Sequence, residues 1–259
     1  MANGRSVRQA SSWGLPGFWH EVRGARNLLE DSWELEGPKS SNFKKAVIIV
    51  PGFLAMSRPY FSLAQFFNEM GYGVYFPDFG GTNTQNLQAG IFAMEKVVAE
   101  VKKNYDSFSL VGHSLGGIQS LRFADDSAVE SVITVGSPMV HGTPWRLLGK
   151  LVVACLVTNG IFSRSRAYFD ILESTQETML VDIVKAAKPY ASKIYSIALT
   201  TDPIAPPSHA VFPGGAHNVI VRSDMRTMRA LSARDRGYWT HGGMINLPEV
   251  RQILEDILE

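Results

Sequence analysis

The sequence predicts an α/β fold with a mostly parallel central sheet of about six strands and helices on both faces. Three observations carry that expectation. Short β-branched runs recur without polar alternation, as in strands buried on both sides. Segments with helical periodicity separate them, and strand–helix–strand spacing of this kind makes parallel crossovers. At 259 residues the chain suits one large α/β domain.

The elements follow in order. Residues 1–43 read as an N-terminal extension, polar from Met1 to Gly14. An amphipathic helix is expected over Phe18–Trp33, with Phe18, Trp19, Val22, Ala25, Leu28, Leu29 and Trp33 inward. Ala46–Val50 is a buried strand ended by Pro51-Gly52, and Arg58–Met70 a helix stopped at Gly71. Gly73–Phe76 is a second strand and Gln85–Lys103 a helix, with Leu87, Ile91, Met94, Val97, Val98 and Val101 on one stripe. Phe108–Val111 is a third strand, Leu115–Phe123 a helix, and Val129–Val135 a fourth strand ending at Gly136-Ser137-Pro138. The rhythm then breaks. Thr143-Pro144 resembles an N-cap followed by proline at the first helical position, opening an apolar helix over Trp145–Val157. A further helix is expected over Ser174–Lys188. Alternation resumes with strands at Ile194–Leu199 and Asn218–Val221, and Pro248-Glu249 opens a last helix. The organisation expected is an α/β domain over 44–259 with a helical lid or cap inserted at about 139–191.

Composition narrows the function. With 45% hydrophobic residues the chain can build a core, which excludes general disorder. A net charge of +1 argues against binding nucleic acid through phosphate neutralisation. Cys155 is the sole cysteine, so neither an internal disulfide nor a thiolate zinc site is available. The longest apolar run, Leu151–Val157, is too short to span a bilayer. Met1–Ala10 lacks an apolar signal core, so a cytoplasmic location is expected. An organelle transit peptide is the alternative, since Ser and Arg precede the first acidic residue, Glu21.

Gly112-His113-Ser114-Leu115-Gly116 carries the chemistry. It matches the Gly-x-Ser-x-Gly nucleophile elbow, and it lies between a buried strand and a helix as that motif requires. The glycines remove side chains that would collide where strand turns sharply into helix. Serine is a weak nucleophile unless a base takes its proton and a carboxylate orients the base. On this kind of sheet the chain order is Ser, then Asp or Glu, then His. Asp202 fits the acid, because it lies just past the strand Ile194–Leu199 and precedes Pro203. Asp170, Asp182 and Asp224 follow no credible core strand. His241 fits the base, in a loop before the last helix, with His217 as its main rival. The backbone N–H groups of Leu115 and Phe53 are the expected oxyanion donors, with Leu54 second to Phe53.

These pieces, together with Val47–Phe53, Asp202-Pro203-Ile204-Ala205-Pro206 and His241-Gly242-Gly243-Met244, make the chain resemble the α/β-hydrolases from about Lys44 to Glu259. Within them it is similar to small bacterial triacylglycerol lipases and esterases. The resemblance implies ester hydrolysis through an acyl-enzyme, an apolar acyl groove under a lid, and no metal or organic cofactor. Leu54, His113, Trp145, Leu148 and Val152 are the candidate substrate contacts, with packing beside the elbow the other reading of His113. The alternative for Trp145–Val157 is a helix packed on the body. The lipases usually carry His-Gly in the oxyanion loop, where this chain has Pro51-Gly52. The expected partner is a small-molecule or lipid ester, with transient contact to a lipid interface. Thioester or amide hydrolysis, acyl transfer, and a non-catalytic ligand-binding use of the fold stay open as alternatives.

Overall fold

The computed structural model describes residues 43, 45–53, 60–80, 83, 87–139, 174–202, 204–214, 217–222 and 241–259. The helices expected over Phe18–Trp33 and Trp145–Val157 lie outside them.

Six parallel strands form one sheet: β1 (Lys45–Val50), β2 (Tyr72–Tyr75), β3 (Phe108–His113), β4 (Val129–Val135), β5 (Ile194–Leu199) and β6 (His217–Val221), in the order β2-β1-β3-β4-β5-β6. The helices between them are α1 (Phe61–Glu69), α2 (Leu87–Val101), α3 (Leu115–Leu121), α4 (Ser174–Ala187) and the short α5 (Pro207–Ala210), and α6 (Pro248–Leu258) closes the chain.

Strand alternation sorts the core into two layers. On one face Ala46, Ile48 and Val50 of β1 meet Leu87, Ile91, Met94 and Val98 of α2. On the other face Val47 and Ile49 meet Leu63, Ala64 and Phe67 of α1 and Val250, Leu254 and Leu258 of α6. Because both faces are covered, β1 carries apolar residues at every position after Lys45, and β3 is buried throughout although it includes Ser109 and His113. Cutting a fully buried Leu or Phe such as Leu254 or Phe67 to Ala costs about 2–5 kcal/mol. The edge strand β6 is mostly exposed.

Ile183, Val184 and Ala187 of α4 are buried in the same cluster as α2. This part of the expected cap is therefore a helix of the sheet's own layer. Residues 140–173 of the expected insertion lie outside the described residues.

The chain runs from β1 to β2 on one side of β1, and β3 lies on the other side. The carboxyl ends of β1 and β3 thus adjoin at a topological switch point, with Val50 in register with Gly112. Ligand crevices in open α/β sheets form at such points.

Candidate active site

Ser114 stands between β3 and α3 with φ 52° and ψ −122°. Among the described residues it is the only non-glycine with positive φ. Such backbone costs on the order of 1–3 kcal/mol and persists only where packing enforces it. The packing is explicit. A Cβ at Gly116 would sit 2.1 Å from the Val50 carbonyl oxygen, and one at Gly112 would sit 2.5 Å from the Gly116 oxygen. The first turn of α3 is therefore pressed onto the end of β1. The Ser114 N–H donates to the Val135 carbonyl at 2.9 Å, tying the turn to β4.

His241 reaches this serine from the loop before α6. Its Nε2 lies 2.8 Å from Ser114 Oγ and its Nδ1 lies 2.7 Å from Asp202 Oδ2. A carboxylate accepts, so Nδ1 carries the proton and Nε2 presents a lone pair to the Ser114 hydroxyl. Asp202, 2% exposed, sits three residues past β5. Its Oδ1 accepts from the N–H groups of Ile204 at 2.8 Å and Ala205 at 2.9 Å, which fixes the carboxylate and leaves Oδ2 for His241. The three residues selected from the sequence as nucleophile, base and acid are thus brought into one hydrogen-bonded line.

The loop after β1 packs directly on the serine. A Cβ at Gly52 would lie 3.1 Å from Ser114 Cβ and 3.0 Å from His113 Nδ1. Phe53 follows in a turn, half-buried. Leu115 opens α3, where the first N–H groups have no intrahelical acceptor. Asn83, fully buried, holds the loop from behind: its Nδ2 donates to the Pro51 carbonyl at 2.8 Å and to Gln119 Oε1 at 3.0 Å. Gln119 Nε2 donates back to Asn83 Oδ1 at 3.3 Å.

The sequence leaves His113 either in contact with substrate or packed beside the elbow, and the structure shows it packed. Its ring is 4% exposed and both nitrogens are engaged inside the protein. Nδ1 lies 2.8 Å from the Tyr60 hydroxyl and Nε2 lies 2.8 Å from the His241 carbonyl oxygen. Burial, reinforced by the adjacent His241, pushes its pKa down to about 3, against the opposite pull of the His241 carbonyl and of Asp202. Burial likewise raises the Tyr60 phenol above its ordinary value, despite the Gly52 N–H it accepts. Neither group carries charge near neutral pH.

Leu54, Trp145, Leu148 and Val152 lie outside the described residues. His217 opens β6 and stacks on Tyr195, with ring centroids 4.6 Å apart, on the edge strand. Sequence reasoning missed Tyr60, Asn83 and Gln119. No spacing marks them, because a loop Asn and a Tyr before a helix are ordinary residues until the fold buries their polar ends.

Comparison with known proteins places this architecture. A family model described as alpha/beta hydrolase fold matches residues 45–154. No curated protein matches the sequence. A carboxylesterase structure from the thaumarchaeon Nitrososphaera gargenis is similar, with 13% identity, a TM-score of 0.56, and coverage of 85% of this chain and 91% of that one. A lipase-esterase related protein from Clostridium acetobutylicum has 13% identity and a TM-score of 0.55, over 85% of this chain and 95% of its own. A metagenome-derived lipolytic enzyme, LipS or LipT, has 12% identity and a TM-score of 0.56, over 87% and 99%. The chain has the α/β-hydrolase fold. Identities this low speak for the fold alone, so the chemistry has to be argued from the site.

Proposed function

We propose that the chain is a serine hydrolase of carboxylic esters, acting on medium or long acyl chains. One observation carries the reading: Ser114 Oγ, His241 and Asp202 stand in a line of hydrogen bonds of 2.8 and 2.7 Å, with the serine in a strained elbow. Backbone strain of this kind clusters at active sites, where packing holds a reacting group out toward another molecule.

In this reading the Ser114 oxygen attacks the ester carbonyl while His241 Nε2 takes its proton. Asp202 holds the imidazole in the required tautomer and stabilises its cation. The N–H groups of Phe53 and Leu115 hold the oxyanion, aided by the positive end of α3. The imidazolium then returns the proton to the leaving alcohol, giving an acyl-enzyme. Water, deprotonated by His241, releases the acid by the same steps in reverse order. The apolar sequence Trp145–Val157 supports an acyl-binding role for the segment between β4 and α4.

The test is turnover of p-nitrophenyl acyl esters of increasing length by the full chain and by Ser114→Ala. Loss of turnover, and of labelling by a fluorophosphonate probe, is expected in the variant. Undiminished turnover in Ser114→Ala overturns the assignment. Preference for a thioester or an amide over the matched ester redirects it within acyl transfer.

A further inference from the structure

We propose that Tyr60 and His113 are positioning residues, forming one directed chain of hydrogen bonds that joins the Gly52–Phe53 backbone to the backbone of His241. The proposal rests on the hydrolase reading above and assigns work to two buried groups that the reaction itself does not use.

The direction of the chain follows from its ends. The His241 carbonyl can only accept, so His113 Nε2 carries a proton and donates to it at 2.8 Å. A neutral imidazole then has its lone pair on Nδ1, so the Tyr60 hydroxyl donates there, at 2.8 Å. The Tyr60 oxygen in turn accepts the Gly52 N–H at 3.0 Å. Burial keeps His113 neutral down to about pH 3, so the direction holds throughout the range in which an esterase works.

Three parts of the proposed machinery meet in this chain. Gly52 precedes the expected oxyanion donor Phe53, His113 precedes Ser114, and His241 is the base. The His113 and His241 rings also lie against each other, with centroids 5.0 Å apart and planes at 38°. Tyr60 does more than fill space. If its hydroxyl is removed, the Nδ1 lone pair of His113 is left buried without a donor. The ring that donates to the His241 carbonyl then loses its anchor on the other side, and the backbone that carries the base is held less firmly. The same deletion strips the Gly52 N–H of its acceptor. Base and oxyanion loop would loosen together.

The test compares the wild-type chain with Tyr60→Phe, His113→Gln and His113→Asn. An amide at 113 offers either a donor toward His241, as in Gln, or an acceptor toward Tyr60, as in Asn, but does not span both. Each variant is expected to lower kcat on a p-nitrophenyl ester by up to about 100-fold, with KM within about twofold. Nitrogen-15 NMR of histidine-labelled protein should show His113 as the Nε2–H tautomer in the wild type, and a shifted Nδ1 resonance in Tyr60→Phe, where the hydrogen bond to that nitrogen is lost. A packing role alone would lower the melting temperature while kcat per folded molecule and the His113 signals stayed put, and that result overturns the proposal. An Nδ1–H tautomer for His113 in the wild type overturns it as well. Should Tyr60→Phe fail to fold, the two His113 variants decide by the same kinetic criterion. Absence of Ser114-dependent turnover in the wild type would count against the hydrolase reading instead, while the tautomer still reports whether the chain exists.

Discussion

Two buried histidines lie side by side in this molecule and do opposite things. His241 and His113 are 7% and 4% exposed, with their rings in contact. Each uses both nitrogens. His241 donates from Nδ1 to a carboxylate and turns its Nε2 lone pair toward a hydroxyl. His113 accepts a phenol at Nδ1 and donates from Nε2 to a carbonyl. They are opposite tautomers of one side chain. The difference teaches that burial does not make a histidine a base. The partner that can only accept decides: a carboxylate at Nδ1 of His241 sends the lone pair out to a reacting group, and a carbonyl at Nε2 of His113 takes the proton and turns the lone pair toward the Tyr60 hydroxyl.

Asp202→Asn breaks this comparison most severely. Oδ1 accepts two backbone N–H groups, from Ile204 and Ala205, so the amide oxygen of Asn must stay on that side. Its NH2 then faces His241 Nδ1 and can only donate. The proton is driven to Nε2, giving His241 the tautomer of His113 and leaving no lone pair for Ser114. A fall in kcat of about 10⁴-fold is expected, with little change in the fold. It is measured as steady-state turnover against the Ser114→Ala background. Retention of more than a tenth of wild-type turnover would contradict the tautomer argument.

The two histidines were also unequally legible in the sequence. The sheet and the elbow are local: β-branched runs mark β1 and β4, and glycines at 112 and 116 mark a turn where backbone meets backbone. His241 and Asp202 lie 127 and 88 positions after Ser114, yet the elbow implies their order, and each sits at an end of an element that periodicity reveals. His113 lies inside the motif, where the sequence admits both a substrate contact and packing beside the elbow. Its true partners, Tyr60 and the backbone of His241, are 53 and 128 positions away. No pattern links them, since a brace is defined by what surrounds it and not by what it must do.

Acid sharpens the comparison at His113. Its pKa is about 3 in the folded chain against an ordinary 6.5. Between those values the unfolded chain binds a proton that the folded chain refuses. Stability from this group is therefore complete above about pH 6.5 and is lost as pH falls toward 3, at no more than about 1.4 kcal/mol per pH unit. His113→Gln cannot titrate. Its melting temperature, lower than wild type at pH 7, should fall less steeply between pH 6.5 and 3. Parallel melting curves across that window would mean that His113 is not the proton acceptor.

The smallest effect is expected at a third histidine, and it tests whether partners or mere residue type set the role. His217 was the rival base in the sequence, following Gly214-Gly215-Ala216. In the fold it opens the edge strand β6, exposed, opposite Tyr195 in the strand register and stacked on that ring at 16° between planes. Stacked pairs of this kind contribute about 0.5–1.5 kcal/mol, less when exposed. His217→Ala should therefore cost under about 1 kcal/mol in denaturant unfolding and leave kcat within about twofold. The two measurements have to be read together. A stability loss with turnover intact fits a surface stack. A drop in turnover comparable with Asp202→Asn would remove His241 from the role of base, because one serine hydroxyl cannot give its single proton to two imidazoles, one past the carboxyl ends of β3 and β5 and the other at the start of β6.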